Sequence, residues 1–97
     1  MLEMKDTDTF EISPSIFLQK ISELKKYWAF NTDTGEHYTL NKTSYWILER
    51  IAGGAAVEDM VQDFLGTFDV EEKEGTRDFN EIIKNFLDEG IIERRER

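Results

Sequence analysis

The spacing of apolar residues changes period once along this chain, at Leu40. Before it, apolar residues come in short runs rich in β-branched and aromatic side chains: Ile16-Phe17-Leu18 with Ile21, then Tyr27-Trp28-Ala29-Phe30, then His37-Tyr38-Thr39-Leu40. Runs of this kind suit a pleated surface and predict three short strands. Residues 22–25 provide a first turn. Residues 32–35 provide a stronger one, because Asp33 starts turns well and Gly35 accepts the positive φ that hairpin loops need. The strands therefore form an antiparallel meander. Beyond Leu40 the period is about 3.6. Asn41 or Thr43 can cap a helix whose Ile47, Leu48 and Ile51 share one face, and Gly53-Gly54 can close it in a left-handed turn. Val57, Met60, Val61, Phe64, Leu65 and Phe68 then follow at the offsets of a wide helical stripe. Residues 69–75 are expected to be an acidic loop. Thr76 would then cap a third helix carrying Phe79, Ile82, Ile83, Phe86 and Leu87 and ending at Gly90, with Ile91-Ile92 as a short closing strand or extended tail. Strands first and helices afterwards is an α+β order: a small three-stranded antiparallel sheet followed by a three-helix bundle.

Ninety-seven residues suffice for one domain with a single modest core. Residues 1–15, polar and charged around the only Pro, Pro14, are expected to be a flexible lead-in; residues 16–93 form the domain and residues 94–97 a charged tail. Twenty-one acidic against twelve basic side chains give a formal charge of −9, a field that repels nucleic-acid backbones and anionic membranes. No Cys is present, so disulfides, thiolate metal sites and a Cys nucleophile are excluded. Apolar runs of at most four residues cannot cross a bilayer, and the N-terminus lacks the apolar stretch of a signal peptide, so a cytoplasmic location is expected.

Catalytic chemistry finds no foothold. His37 is the only His and has no carboxylate or Ser partner at a useful spacing, so neither a metal site nor a cofactor is expected. Glu58-Asp59 and Glu71-Glu72 fall at a helix start and in a loop, where solvation or the helix dipole accounts for them. Trp28 and Trp46 are expected in or beside the core. Binding is better served. Phe79, Ile83 and Phe86 centre the stripe of the third helix, whereas Ile82 and Leu87 lie roughly 140° apart on its margins. That face is wider than one neighbour needs. The third strand, closest in sequence to the helices, has an edge whose free N–H and C=O groups another extended chain can use.

In order along the chain stand Tyr38-x-Leu40-Asn41, Thr43, Ile47-Leu48, Gly53, Val57-x-x-Met60-Val61, Asp78 and Phe86-Leu87-x-x-Gly90-Ile91-Ile92. This series resembles the family of pyrroloquinoline quinone biosynthesis protein D, the small PqqD-like domains, over roughly residues 16–92. The resemblance implies a winged helix-turn-helix-like domain that binds the leader region of a ribosomally made precursor peptide as an added strand and presents it to a modifying enzyme, often of the radical S-adenosylmethionine type. It places the peptide-binding site at His37, Tyr38, Thr39 and Leu40, facing Phe79, Ile82, Ile83 and Phe86. Such a domain would be a non-catalytic peptide chaperone. An open edge allows a monomer or a strand-exchanged dimer. Ala52 stands where the family tends to have Asp before the helix-closing Gly. A winged-helix transcription regulator or a protein–protein adaptor is the alternative; for the regulator, the third helix has Arg77 and Lys84 against Asp78, Glu81, Asp88 and Glu89, the wrong balance for a recognition helix.

Overall fold

A computed structural model describes residues 9–95. The elements are β1 (Phe10–Ile12), β2 (Ile16–Ile21), β3 (Lys26–Asn31), β4 (His37–Leu40), α1 (Lys42–Ala52), α2 (Val57–Phe68), α3 (Glu72–Asp88) and β5 (Ile92–Arg94), with a single 3-10 turn at Ser22–Leu24. Strands β2, β3 and β4 form the expected antiparallel sheet in that spatial order. The α+β architecture of a three-stranded sheet and three helices is as the hydropathy pattern predicts.

Alternation along the strands gives the sheet two different faces. Leu18, Ala29 and Tyr38 stand in one cross-strand row, and Phe17, Phe30 and His37 in the next. The first row turns inward. Ala29 is fully buried, and Leu18, Tyr38 and Leu40 pack on the core built from Ile47, Leu48, Met60, Phe79 and Ile83. Lys20 ties β2 to α1, lying over the Tyr45 ring and reaching Glu49 Oε2 at 3.4 Å. The second row turns outward, and Phe17 is 60% exposed there.

The turns follow their chemistry. Gly35 takes φ +77°, and Asn31 Oδ1 accepts from the Asp33 amide at 2.9 Å, closing the β3–β4 hairpin. Asn41 is the cap of α1: its Oδ1 accepts from the Ser44 amide at 2.7 Å. Trp46 packs half-buried against Phe64 and Phe68, and Trp28 is half-buried on the sheet.

Two expectations need correction. Part of the supposed flexible lead-in is structured: Phe10–Ile12 pair antiparallel with Ile92–Arg94, and Phe10 is fully buried. Ser13 extends this clasp, its amide donating to Ile91 at 3.0 Å and its hydroxyl to the Gly90 carbonyl at 2.7 Å. Ile92 and Arg94 therefore belong to a strand, and the tail assigned to residues 94–97 begins inside it. Residues 1–8 and 96–97 lie outside the described residues.

The second correction concerns the acidic loop, which is shorter than residues 69–75. The chain turns at Asp69, φ +48°, and α3 starts at Glu72, so Thr76 is helical and caps nothing. An acidic first turn, Glu72 and Glu74, complements the positive end of the helix dipole and explains why so charged a segment is helical. Gly75 sits buried within α3, where a Cβ would collide with Leu65 Cδ2 and Val70 Cγ2. The Gly lets α2 and the inter-helix turn approach α3 closely. Gly75→Ala recovers about 1 kcal/mol of helix propensity but overpacks the contact at a cost of about 1–3 kcal/mol. A net loss of up to about 2 kcal/mol is expected in urea denaturation. A variant more stable than the parent would show that Leu65 and Val70 move aside freely.

Candidate groove between the third sheet strand and the last helix

Strand β4 is an edge of the sheet, with β3 on one side only. The Asn31 amide donates to the Glu36 carbonyl at 2.9 Å. Bonded and non-bonded pairs alternate in an antiparallel ladder. With Ala29 opposite Tyr38 and Tyr27 opposite Leu40, those two β4 residues direct their main-chain groups to β3. His37 and Thr39 direct theirs outward, to the open edge. Side chains obey the same alternation. Tyr38 and Leu40 face α3, while the His37 ring lies edge-on to Phe30 at 4.7 Å on the outer face.

Opposite the edge runs α3. His37, Tyr38, Thr39 and Leu40 share a groove with Ser44 of α1, with Ile82, Asn85 and Phe86 of α3 and with Glu89 at the C-terminal cap of that helix. The groove continues past Asn41 and Thr43 between Asp78, Glu81 and Ile82 on one side and Phe64, Phe68 and Val70 on the other. Ile82 and Asn85 line both halves. Residue numbers rise along β4 while they fall along α3, so the two walls run in opposite directions. Leu40, Ile82 and Phe86 are among its apolar liners, and Asp78, Glu81 and Glu89 are its acidic ones. Partial burial, followed by the charges of Glu36 and Glu89 and a hydrogen bond with the Glu36 side chain, holds the Tyr38 hydroxyl pKa above its ordinary 10.0. The phenol is therefore protonated at neutral pH.

Of the eight residues expected at a binding site, His37, Tyr38, Thr39, Leu40, Ile82 and Phe86 surround this groove. Phe79 and Ile83 do not line it. Both are fully buried, one layer deeper, where Phe79 meets the Phe64 ring at 5.8 Å. Phe86 serves both layers, being 5% exposed. Hydropathy reading missed the polar liners Asn85 and Glu89, whose signal is their spacing of three and seven residues from Ile82 on the same helical face. Among the described residues, no group of three or more His, Asp or Glu side chains is placed to hold a metal ion, and no helix is long and apolar enough to cross a membrane.

The family model for coenzyme PQQ synthesis protein D (PqqD) matches residues 27–92, from β3 into β5. Two solved structures share the fold. One is TbiB1 in complex with the TbiA(beta) leader peptide, with a TM-score of 0.78 and 16% identity over 90% of this chain and 99% of that one. The other is a lasso peptide synthetase B1 complexed with the leader peptide, with a TM-score of 0.76 and 21% identity over 87% of this chain and 96% of that one. A comparison with curated proteins finds no match.

Proposed function

Because the chain belongs to the coenzyme PQQ synthesis protein D (PqqD) family, we propose that it is a non-catalytic recognition module that binds the leader region of a ribosomally made precursor peptide. The observation that carries this reading is the open β4 edge facing Ile82 and Phe86 across the groove. The leader adds as a strand beside β4, exchanging main-chain hydrogen bonds with His37 and Thr39. Its inward side chains then enter the groove against Tyr38, Leu40, Ile82 and Phe86. Support comes from the leader peptides held by the two structures of like fold. The loaded domain presents the peptide to a modifying enzyme, for which a radical S-adenosylmethionine protein is our proposal.

Binding to a duplex is the competing function for a fold of this shape, and charge opposes it. Glu72, Glu74, Asp78, Glu81 and Asp88 outnumber Lys73, Arg77 and Lys84 along α3, so counterion-releasing phosphate contacts are scarce.

The test is calorimetric titration with peptides from short reading frames neighbouring the gene, comparing the parent with Thr39→Pro. The Thr39 amide points to the open edge, so the Pro ring leaves the β3–β4 ladder intact, as edge positions allow. It removes one donor to the incoming strand, and a loss of about threefold to tenfold in affinity is expected for one such bond. A folded Thr39→Pro variant that binds a leader as tightly as the parent would place the peptide elsewhere.

A further inference from the structure

Resting on the strand-addition reading, we propose that the groove selects a leader segment in which two basic residues, about four positions apart, flank an apolar one. The α3 wall is one-signed. Asp78, Glu81 and Glu89 line it, whereas no Lys or Arg lines either half. Among the described residues the ion pairs join Lys20 to Glu49, Arg50 to Asp63, Lys84 to Asp88 and Arg95 to Glu11, and none of them neutralises these three carboxylates. Lys84, three residues from Glu81, is turned along its own helix to Asp88 at 3.0 Å, and Arg77, next to Asp78, does not line the groove.

Spacing converts this charge into a sequence rule. Glu81 on α3 and Glu89, the cap at its C-terminal end, are eight residues apart, about 12 Å along the axis. Four steps of an extended strand cover about 13 Å, and residues two apart project to the same face. A peptide paired with β4 therefore brings side chains i, i+2 and i+4 to the α3 wall together. Position i+2 meets Ile82 and Phe86, which lie between the two carboxylates, and positions i and i+4 reach Glu81 and Glu89. Long Lys or Arg stems can cover the apolar liners while their charged ends stay in water. Such pairs are solvent-exposed, so they set register and choice of peptide more than total affinity.

The experiment selects random peptides of about twelve residues, long enough to span the groove as a strand, from a displayed library on the full chain. Enriched peptides should carry the basic–x–apolar–x–basic pattern. In a synthetic peptide of that pattern, changing both basic residues to Gln should weaken binding at least about tenfold, or 1.4 kcal/mol. Against Glu81→Gln/Glu89→Gln the same change should cost less than about threefold, while against Glu58→Gln/Glu93→Gln, which removes equal charge outside the groove, the full loss should remain. Equal losses on all three proteins would overturn the proposal, because net charge would then account for the preference. A selected pool with no basic excess, whose members still shift the His37 and Thr39 amide resonances, would overturn it too while leaving strand addition standing. Binders that shift Phe17 and Trp28 on the outer sheet face instead would overturn both, and so would a library yielding no binder.

Discussion

Replacing Ile82 by Glu is expected to weaken leader binding at least about tenfold, a loss of about 1.4 kcal/mol, in a protein that remains folded. Ile82 is half-buried and lines both halves of the groove, so its outer surface is what an incoming apolar side chain would cover. A carboxylate there is desolvated by the bound peptide without a partner on the protein side, since its neighbours Asp78, Glu81 and Glu89 carry the same sign. The free protein suffers less. The new charge can turn to water, and a stability loss of about 1 kcal/mol corresponds to a fall of about 4–8 °C in melting temperature for a domain of this size. Calorimetric titration and a melting curve on the same sample separate the two quantities. Parent-like affinity in a folded Ile82→Glu protein would sink the assignment of the peptide to this groove.

Phe79→Ala should do the opposite, costing about 3–5 kcal/mol of stability. Its ring is fully buried and stacks edge-wise on Phe64 between α2 and α3. Domains of this kind hold about 5–15 kcal/mol in all. Truncation therefore removes a large share of the total, and a substantially lower urea midpoint with an unchanged slope is the expected result. If Phe79→Ala unfolds within about 1 kcal/mol of the parent, the α2–α3 contact is not a packed core. Together the two substitutions test whether one helical stripe divides into a layer that holds the fold and a margin that, on the proposed reading, meets the peptide.

That division was legible in part from spacing alone. Phe79, Ile83 and Phe86 fall at the centre of the stripe and Ile82 at its edge, and burial follows the same order. Strands β2 to β4 were legible because alternation, aromatic content and the Asp33–Gly35 turn chemistry agree with one another. The start of α3 was not. Its first residues read as a loop because Glu-rich sequence with a Gly carries no apolar period, and the observed cap, Glu71, makes no side-chain bond that could mark it. The strands β1 and β5 are only three residues each, too short to show alternation, and no local pattern announces a partner at the other end of the chain. Among the groove residues, Asn85 and Glu89 were hidden for a different reason: exposed polar positions on a helix are the ordinary case, and only their placement opposite a strand edge sets them apart.

The β1–β5 clasp also bears on the order of folding. Its Ser13–Gly90 bond joins residues 77 apart in sequence, whereas the β2–β3–β4 meander and α1 are assembled from near neighbours. Loop-closure entropy makes such a distant contact slow to nucleate. The meander and α1 precede β5 in the chain and can thus form first, whereas the pairing of Phe10–Ile12 must wait for Ile92–Arg94. The proposed peptide-binding edge can therefore be assembled before the β1–β5 contact, and a nascent chain with β4 already paired to β3 would offer an early, unguarded template for another extended segment.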